Sequence, residues 1–269
     1  MLWLKLLLVP GLVAVVTLAV RRWGPVVGGW LAGLPIVAGP VLVFYALEQG
    51  NVFAARAAHA TLAGLIATVA FTVAYERASR RLPWYLCLLL GWGVFAAAII
   101  ALYFTQPGLV ASLVALVAAT VLGRRAFSRV RFAEPGLRTR GYVGRVPPKA
   151  DPPGDLLIRL VATATLVLVL TGLASRLGPA WSGLLAAFPV LTTIVAVFSH
   201  AQRGAAASLA FFNGYLQAIV GFGLFCVVMA LGLESLGLGW ALAAALAAQL
   251  AWHAILVSRT AHSAPVSGS

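Results

Sequence analysis

Apolar runs along the chain are punctuated by short clusters of glycine, proline and charge. They divide it into nine candidate membrane spans: Leu2–Val20, Val26–Leu47, Val52–Tyr75, Pro83–Phe104, Leu109–Leu122, Leu156–Ala174, Pro179–Ser199, Ala205–Leu233 and Leu238–Val257. Most of these runs match the roughly 20 residues that a helix needs to cross a hydrocarbon core. The fifth is the shortest, and whether it crosses fully is open from pattern alone. The pattern predicts an all-α polytopic membrane protein of about nine transmembrane helices. Arg124–Asp155 is the one substantial polar stretch, with Pro135, Pro147, Pro148, Pro152 and Pro153 and no apolar periodicity. It reads as a basic Pro/Gly-rich cytoplasmic connector with little regular structure, and the tail 259–269 as disordered.

The apolar pattern repeats. Gly24–Pro35 reads G-P-V-V-G-G-W-L-A-G-L-P and Gly178–Pro189 reads G-P-A-W-S-G-L-L-A-A-F-P. The copies agree at Gly24/Gly178, Pro25/Pro179, Gly29/Gly183, Leu31/Leu185, Ala32/Ala186 and Pro35/Pro189. The match runs on without a gap through Phe44/Phe198 to Gly50/Gly204, at a constant offset of 154 positions. Spans one to four (1–104) then correspond to spans six to nine (156–258), with a linking helix (105–123) and the connector (124–155) between them. Four spans return the chain to its starting side, so one linking span places the second unit upside down. The expectation is two inverted-topology four-helix repeats, an architecture of secondary transporters. Pro35 and Pro189 should face each other across a pseudo-two-fold axis.

Composition supports the membrane class. The chain is 62% hydrophobic and 9% charged, with a mean hydropathy of +1.01, beyond what a soluble domain of this size can cover with polar surface. The formal charge of +13 sits in loops, where it sets topology and meets anionic lipid headgroups, so no nucleic-acid partner is expected. Arg21–Arg22, Arg77/Arg80/Arg81, the Arg124–Arg159 segment, Arg203 and Arg259 alternate with sparsely charged turns. This places the N-terminus outside and the C-terminus and loop 124–155 in the cytoplasm, in a bacterial-type inner membrane. Trp3, Trp23, Trp84, Trp181 and Trp240 fall at span ends as interfacial anchors. The first run ends in Arg21–Arg22 without a small-residue cleavage site and reads as a retained helix. Cys87 and Cys226 read as small packing residues, with no metal or disulfide spacing.

In the second copy Phe188–Pro189 is followed fourteen residues later by Arg203–Gly204; the first has Pro35 and then Glu48–Gln49–Gly50. This resembles the GlpM-type (YdgC-type) small membrane proteins, four-span chains with Phe-Pro-Thr and a later Glu-Arg-Gly at that separation. The chain departs from the pattern at Leu34, Gln49 and Gln202. The resemblance implies a fused, inverted pair of such four-span units and a loose link to envelope polysaccharide production.

The proline at Pro35 or Pro189 removes a backbone donor and breaks its helix. In a bilayer the freed carbonyls must be buried in protein or line a cavity. Gly33, Gly39, Thr192 and Thr193 flank the breaks. His59 and Asn213 are equivalent under the repeat, and Gln217 follows Asn213 by one turn; both interhelical hydrogen bonding and a permeation path fit them. Glu48 and Arg203 are candidate gates or coupling groups at opposite ends. Gln249 and His253 form a second polar stripe, with His253 expected to anchor at the interface.

No span has a carboxylate near its centre, which disfavours a small-multidrug-type exporter. There is no P-loop, H-E-x-x-H or G-x-S-x-G motif, so no enzyme, cofactor or metal is expected. The expectation is a small secondary transporter or exporter with its substrate path between broken spans two and seven. Half-helix N-termini there favour an anionic, zwitterionic or lipid-linked solute. A non-transporting accessory protein in cell-envelope assembly and a dual-topology-type channel are the alternatives. A homodimer or an envelope-assembly partner is a further expectation.

Overall fold

In a computed structural model, residues 2–128, 154–174 and 179–262 are described, and they are helical with no strand among them. The helices are α1 (Leu2–Trp23), α2 (Pro25–Ala32), α3 (Ala38–Gln49), α4 (Asn51–Ser79), α5 (Trp84–Thr105) and α6 (Leu109–Ser128). Then come α7 (Asp155–Ala174), α8 (Pro179–Ala186), α9 (Val190–Arg203) and α10 (Ala205–His262). Most of the connector, the final residues and the side chains of Trp3 and Lys5 lie outside the described residues. Five helical stretches are long and apolar enough to cross a membrane: Asn51–Ser79, Trp84–Thr105, Leu109–Phe127, Ala180–Arg203 and Ala205–Arg259. The protein is an integral membrane protein by that measure.

Two expectations about helix ends are corrected. The fifth run does not stop at Leu122: α6 continues to Ser128 and carries Arg124 and Arg125 inside its last turns. Backbone hydrogen bonding continues past the apolar edge, because long basic side chains reach outward to water. Spans eight and nine are joined without a loop. Gly237 is the one residue of α10 with non-helical dihedrals. The chain folds back there, since a Cβ at Gly232 would lie 3.2 Å from Ala241 Cβ, and Trp252 Nε1 donates to Gln217 O at 2.9 Å.

The centre is built by α4 and the first arm of α10. They run antiparallel: Leu62 reaches Gly223, while the Phe71 and Tyr75 rings meet Phe212 at 6.3 and 5.4 Å. Both are rich in small residues, which let neighbouring backbones approach. Gly29 and Gly183 show this most clearly. A Cβ on Gly29 of α2 would lie 2.1 Å from Phe211 O on α10; one on Gly183 of α8 would lie 2.3 Å from Ala57 O on α4. Gly29/Gly183 and Phe211/Ala57 are equivalent under the repeat. The pairing holds one turn later, where Gly33 approaches Ala218 and Gly64 approaches Ala187. Each short half-helix therefore packs against the central helix of the other unit, in matching register.

The junctions repeat as well. Gly50, between α3 and α4, has φ 87°, and its equivalent Gly204, between α9 and α10, has φ 82°, a region L-residues with a side chain rarely adopt. At the periphery α5 and α6 expose Leu89, Leu90, Ile100, Val110, Val114 and Leu122. These are the apolar faces a bilayer would cover. Cys87 and Cys226 are buried and free, as packing residues should be.

Candidate functional site

Both spans that carry the repeated proline are broken, and the breaks share a set of turn bonds, although α9 resumes at Val190 and α3 only at Ala38, two positions later under the repeat. At the end of α2, Gly33 N–H bonds Trp30 O (3.2 Å) and Leu34 N–H bonds Leu31 O (3.1 Å); the equivalent bonds after α8 are Ala187 to Leu184 (3.3 Å) and Phe188 to Leu185 (3.0 Å). Across the proline, Ile36 N–H bonds Leu34 O at 2.7 Å and Val190 N–H bonds Phe188 O at 2.8 Å. Pro189 has φ −76° and ψ 57°, the dihedrals of an inverse γ-turn. Each proline then starts the next helix as an acceptor, with Pro35 O bonded by Gly39 N–H (2.7 Å) and Pro189 O by Thr193 N–H (2.8 Å).

The two breaks meet at one cavity of about 40 Å³, room enough for water. Ala32, Leu34, Ile36, Val37 and Ala38 line it from the first break and Ala186–Thr192 from the second, with Tyr215 and Phe222 of α10. Pro189 is therefore in the wall and Pro35 lies between two wall residues.

The breaks leave both acceptors and donors of the backbone without their helical partners: Ala32 O, Ala186 O and Ile36 O, all from residues lining the cavity, accept no hydrogen bond. Four other carbonyls near the ends of α2 and α8 accept from side chains. Thr61 Oγ1 donates to Gly183 O (3.0 Å) and Thr68 Oγ1 to Ala187 O (2.7 Å). On the other side, His253 Nε2–H donates to Trp30 O (3.1 Å), leaving Nδ1 to accept from the Gln249 amide (3.0 Å), which also reaches Gly33 O at a long 3.5 Å. The N-termini of α3 and α9 have no such cover. Neither has a capping side chain, and the N–H groups of Val37, Ala38, Leu191 and Thr192 make no hydrogen bond. Under the repeat Val37 is equivalent to Leu191 and Ala38 to Thr192. The Tyr215 hydroxyl has no partner either, with the residue only 4% exposed.

Several residues singled out from the sequence find other roles. His59 does not flank the break: its Nε2–H donates to Pro107 O at 3.0 Å and ties α4 to the α5–α6 turn. Asn213 is half-buried off the cavity and makes no side-chain hydrogen bond. Gln217 accepts from Trp30 Nε1 at 3.3 Å, steadying α2. Thr192 Oγ1 donates to Pro189 O (3.1 Å), Thr193 Oγ1 accepts from Trp92 Nε1 (3.3 Å), and a Cβ at Gly39 would touch Pro35. His253, expected as an interfacial anchor, instead caps the broken helix. Glu48 is exposed at the end of α3, and Arg203 is half-buried at the end of α9.

Two polar clusters were not legible from the charge pattern. Asp155, at the start of α7, is buried and accepts from Arg159 Nε (2.8 Å), Arg21 Nη2 (2.8 Å) and the Gln202 amide. Arg159 also lies 4.5 Å over the Phe198 ring and donates to Gln202 Oε1 at 3.1 Å. Burial raises the Asp155 carboxyl, but the Arg159 and Gln202 hydrogen bonds, the Arg159 charge and the Arg21 hydrogen bond outweigh it and hold it below the usual carboxylate range. The second cluster joins Tyr75 to His200 Nδ1 (3.2 Å) beside Glu76, which is buried against Arg80 (2.7 Å). No three metal-ligating side chains converge among the described residues.

Comparisons with protein-family models, with curated proteins and with solved structures returned no match to this chain.

Proposed function

We propose that the protein is a small secondary transporter whose solute passes between the α2–α3 and α8–α9 breaks. The observation that carries this reading is the meeting of two equivalent breaks, with matching turn bonds around each proline, at one cavity. Irregular backbone in a membrane is tolerated where it lines such a cavity, and a packing kink needs no matched partner. Counting the broken pairs as single spans and the two arms of α10 separately gives nine crossings. The antiparallel α4 and α10, together with the Arg21–Asp155 contact joining the end of α1 to the start of α7, support two inverted units. On this reading the N-terminus is outside and the chain sits in a cytoplasmic membrane, each half resembling one GlpM-type four-span unit. Exchange of conformation between inverted units opens the cavity to one side and then the other.

Cysteine accessibility tests it. In a background with Cys87 and Cys226 changed to Ala, Val37→Cys and Leu191→Cys are treated with a small, membrane-impermeant methanethiosulfonate in right-side-out and inside-out vesicles. Labelling of the same position from both faces, without conductance in a planar bilayer, is the expected result. Protection from both faces overturns transport and favours an accessory role; steady single-channel current overturns it in favour of a channel.

A further inference from the structure

We infer that the far end of α9 is latched and that of α3 is not, so the path through the cavity is shut on the face carrying Arg21 and Asp155, and release of Gln202 and His200 is the step that opens it there. This rests on the transport reading and names the gate of that path on its cytoplasmic side.

α3 and α9 are equivalent under the repeat. Each runs from the cavity to a glycine of positive φ, Gly50 at 87° and Gly204 at 82°. Their surroundings differ. Residues 190–196 are all buried, whereas Ile36, Val37, Pro40 and Val41 at matching positions are half-buried. At the far ends Glu48 and Gln49 are exposed, while their equivalents Gln202 and Arg203 are half-buried.

The end of α9 is held from two sides. On one, Arg159 of α7 donates to Gln202 Oε1 at 3.1 Å and lies 4.5 Å over the Phe198 ring, and the Gln202 amide donates to Asp155. Asp155 and Arg159 are 3% and 4% exposed, and Asp155 also accepts from Arg21 at the end of α1. One buried carboxylate therefore ties α1, α7 and α9 together. On the other side, the Tyr75 hydroxyl of α4 meets His200 Nδ1 at 3.2 Å. The carboxylate, the amide and the histidine are not repeated at the end of α3. The equivalents of Asp155, Gln202 and His200 are Met1, Glu48 and Ala46, and Glu48 makes no hydrogen bond or ion pair.

The charges are placed so that this contact can release. Stranding one member of a buried ion pair is prohibitive, but no ion pair of the network crosses from α7 to α9. When α9 moves away, Asp155 keeps both Arg159 and Arg21, and the neutral Gln202 and His200 leave with α9. What is lost is a few hydrogen bonds and one cation–π contact, a cost that a bound solute can offset. α3 has no such bonds to break at its end. The two equivalent half-helices thus differ in what holds them, as a gate that is closed on one face only requires.

The test uses the full chain with Cys87 and Cys226 changed to Ala and Val37→Cys as the reporter in the cavity wall. Rates of labelling by the impermeant methanethiosulfonate are measured in right-side-out and inside-out vesicles. The protein with the latch intact should label faster from the outer face. Gln202→Leu removes the α9 side of the latch and leaves the Asp155 ion pairs in place; it should raise the rate from the cytoplasmic face about tenfold or more, the size of one hydrogen bond to a charged group, without changing the outer rate. Tyr75→Phe, which removes the bond to His200 alone, should raise the same rate by a smaller factor. An equal rise from both faces, as general loosening would give, overturns the latch. So does an unchanged cytoplasmic rate in both variants, or faster cytoplasmic labelling while the latch is intact. Labelling from both faces with no effect of either variant removes the latch and leaves transport standing. Protection from both faces in all three proteins removes the transport reading and the latch with it.

Discussion

The sharpest mechanical prediction concerns Gly29 and Gly183. Gly29→Ala brings a methyl to 2.1 Å from Phe211 O and 2.6 Å from Tyr215 N; Gly183→Ala brings one to 2.3 Å from Ala57 O. These obstacles are backbone atoms of the central helices, so no side chain can rotate away. To restore an ordinary contact of 3.4 Å, α2 or α8 must back off by about 1 Å, and a gap of that size forfeits a quarter to a half of the dispersion attraction along the interface. Overpacking of this kind costs up to about 3 kcal/mol. The better helix propensity of alanine returns about 1 kcal/mol, leaving a net loss near 2 kcal/mol for each variant. Gly93→Ala on α5, where a Cβ meets nothing within 4 Å, keeps the propensity gain alone and is the control. Reversible denaturant titration in mild detergent, followed by tryptophan fluorescence, measures all three. If Gly29→Ala and Gly183→Ala match the wild type, or if one is neutral and the other severe, the reciprocal packing of the two units is wrong.

Asp155 should give the protein an acid-sensitive step. Its folded pKa lies below its unfolded value, so its contribution is fully present above the ordinary carboxylate range and is lost as pH falls through the folded value. Melting temperature against pH should therefore drop in acid for the wild type and stay flatter for Asp155→Asn, which also starts lower at neutral pH because Arg159 loses its buried partner, a loss of about 3 kcal/mol. His253→Leu should destabilise by about 1 kcal/mol, since Trp30 O loses its side-chain donor and Gln249 its acceptor, whereas His253→Gln should recover part of that loss in the same denaturant titration.

The membrane class, most helix boundaries and the two broken spans were legible in the sequence, because each is written in local chemistry. About 20 apolar residues can only be a buried or membrane helix, and proline breaks a helix wherever it falls. The 154-position repeat marked Gly29/Gly183 and Pro35/Pro189 as equivalent before any contact was visible. What the repeat could not specify is which polar residue pairs with which carbonyl. His59 and Asn213 occupy equivalent positions, yet His59 is drawn to Pro107 O while Asn213 bonds to nothing. His253 looked interfacial by its place in the last span, but the hairpin at Gly237 swings it onto Trp30 O, more than two hundred positions away. Asp155 carries no mark of burial in its own segment; only the packing of α1, α7 and α9 encloses it. Spacing along a chain determines where a helix must bend and which residues share a face. The partner of each freed backbone group depends on how distant helices cross, and that is decided only when the whole chain is packed.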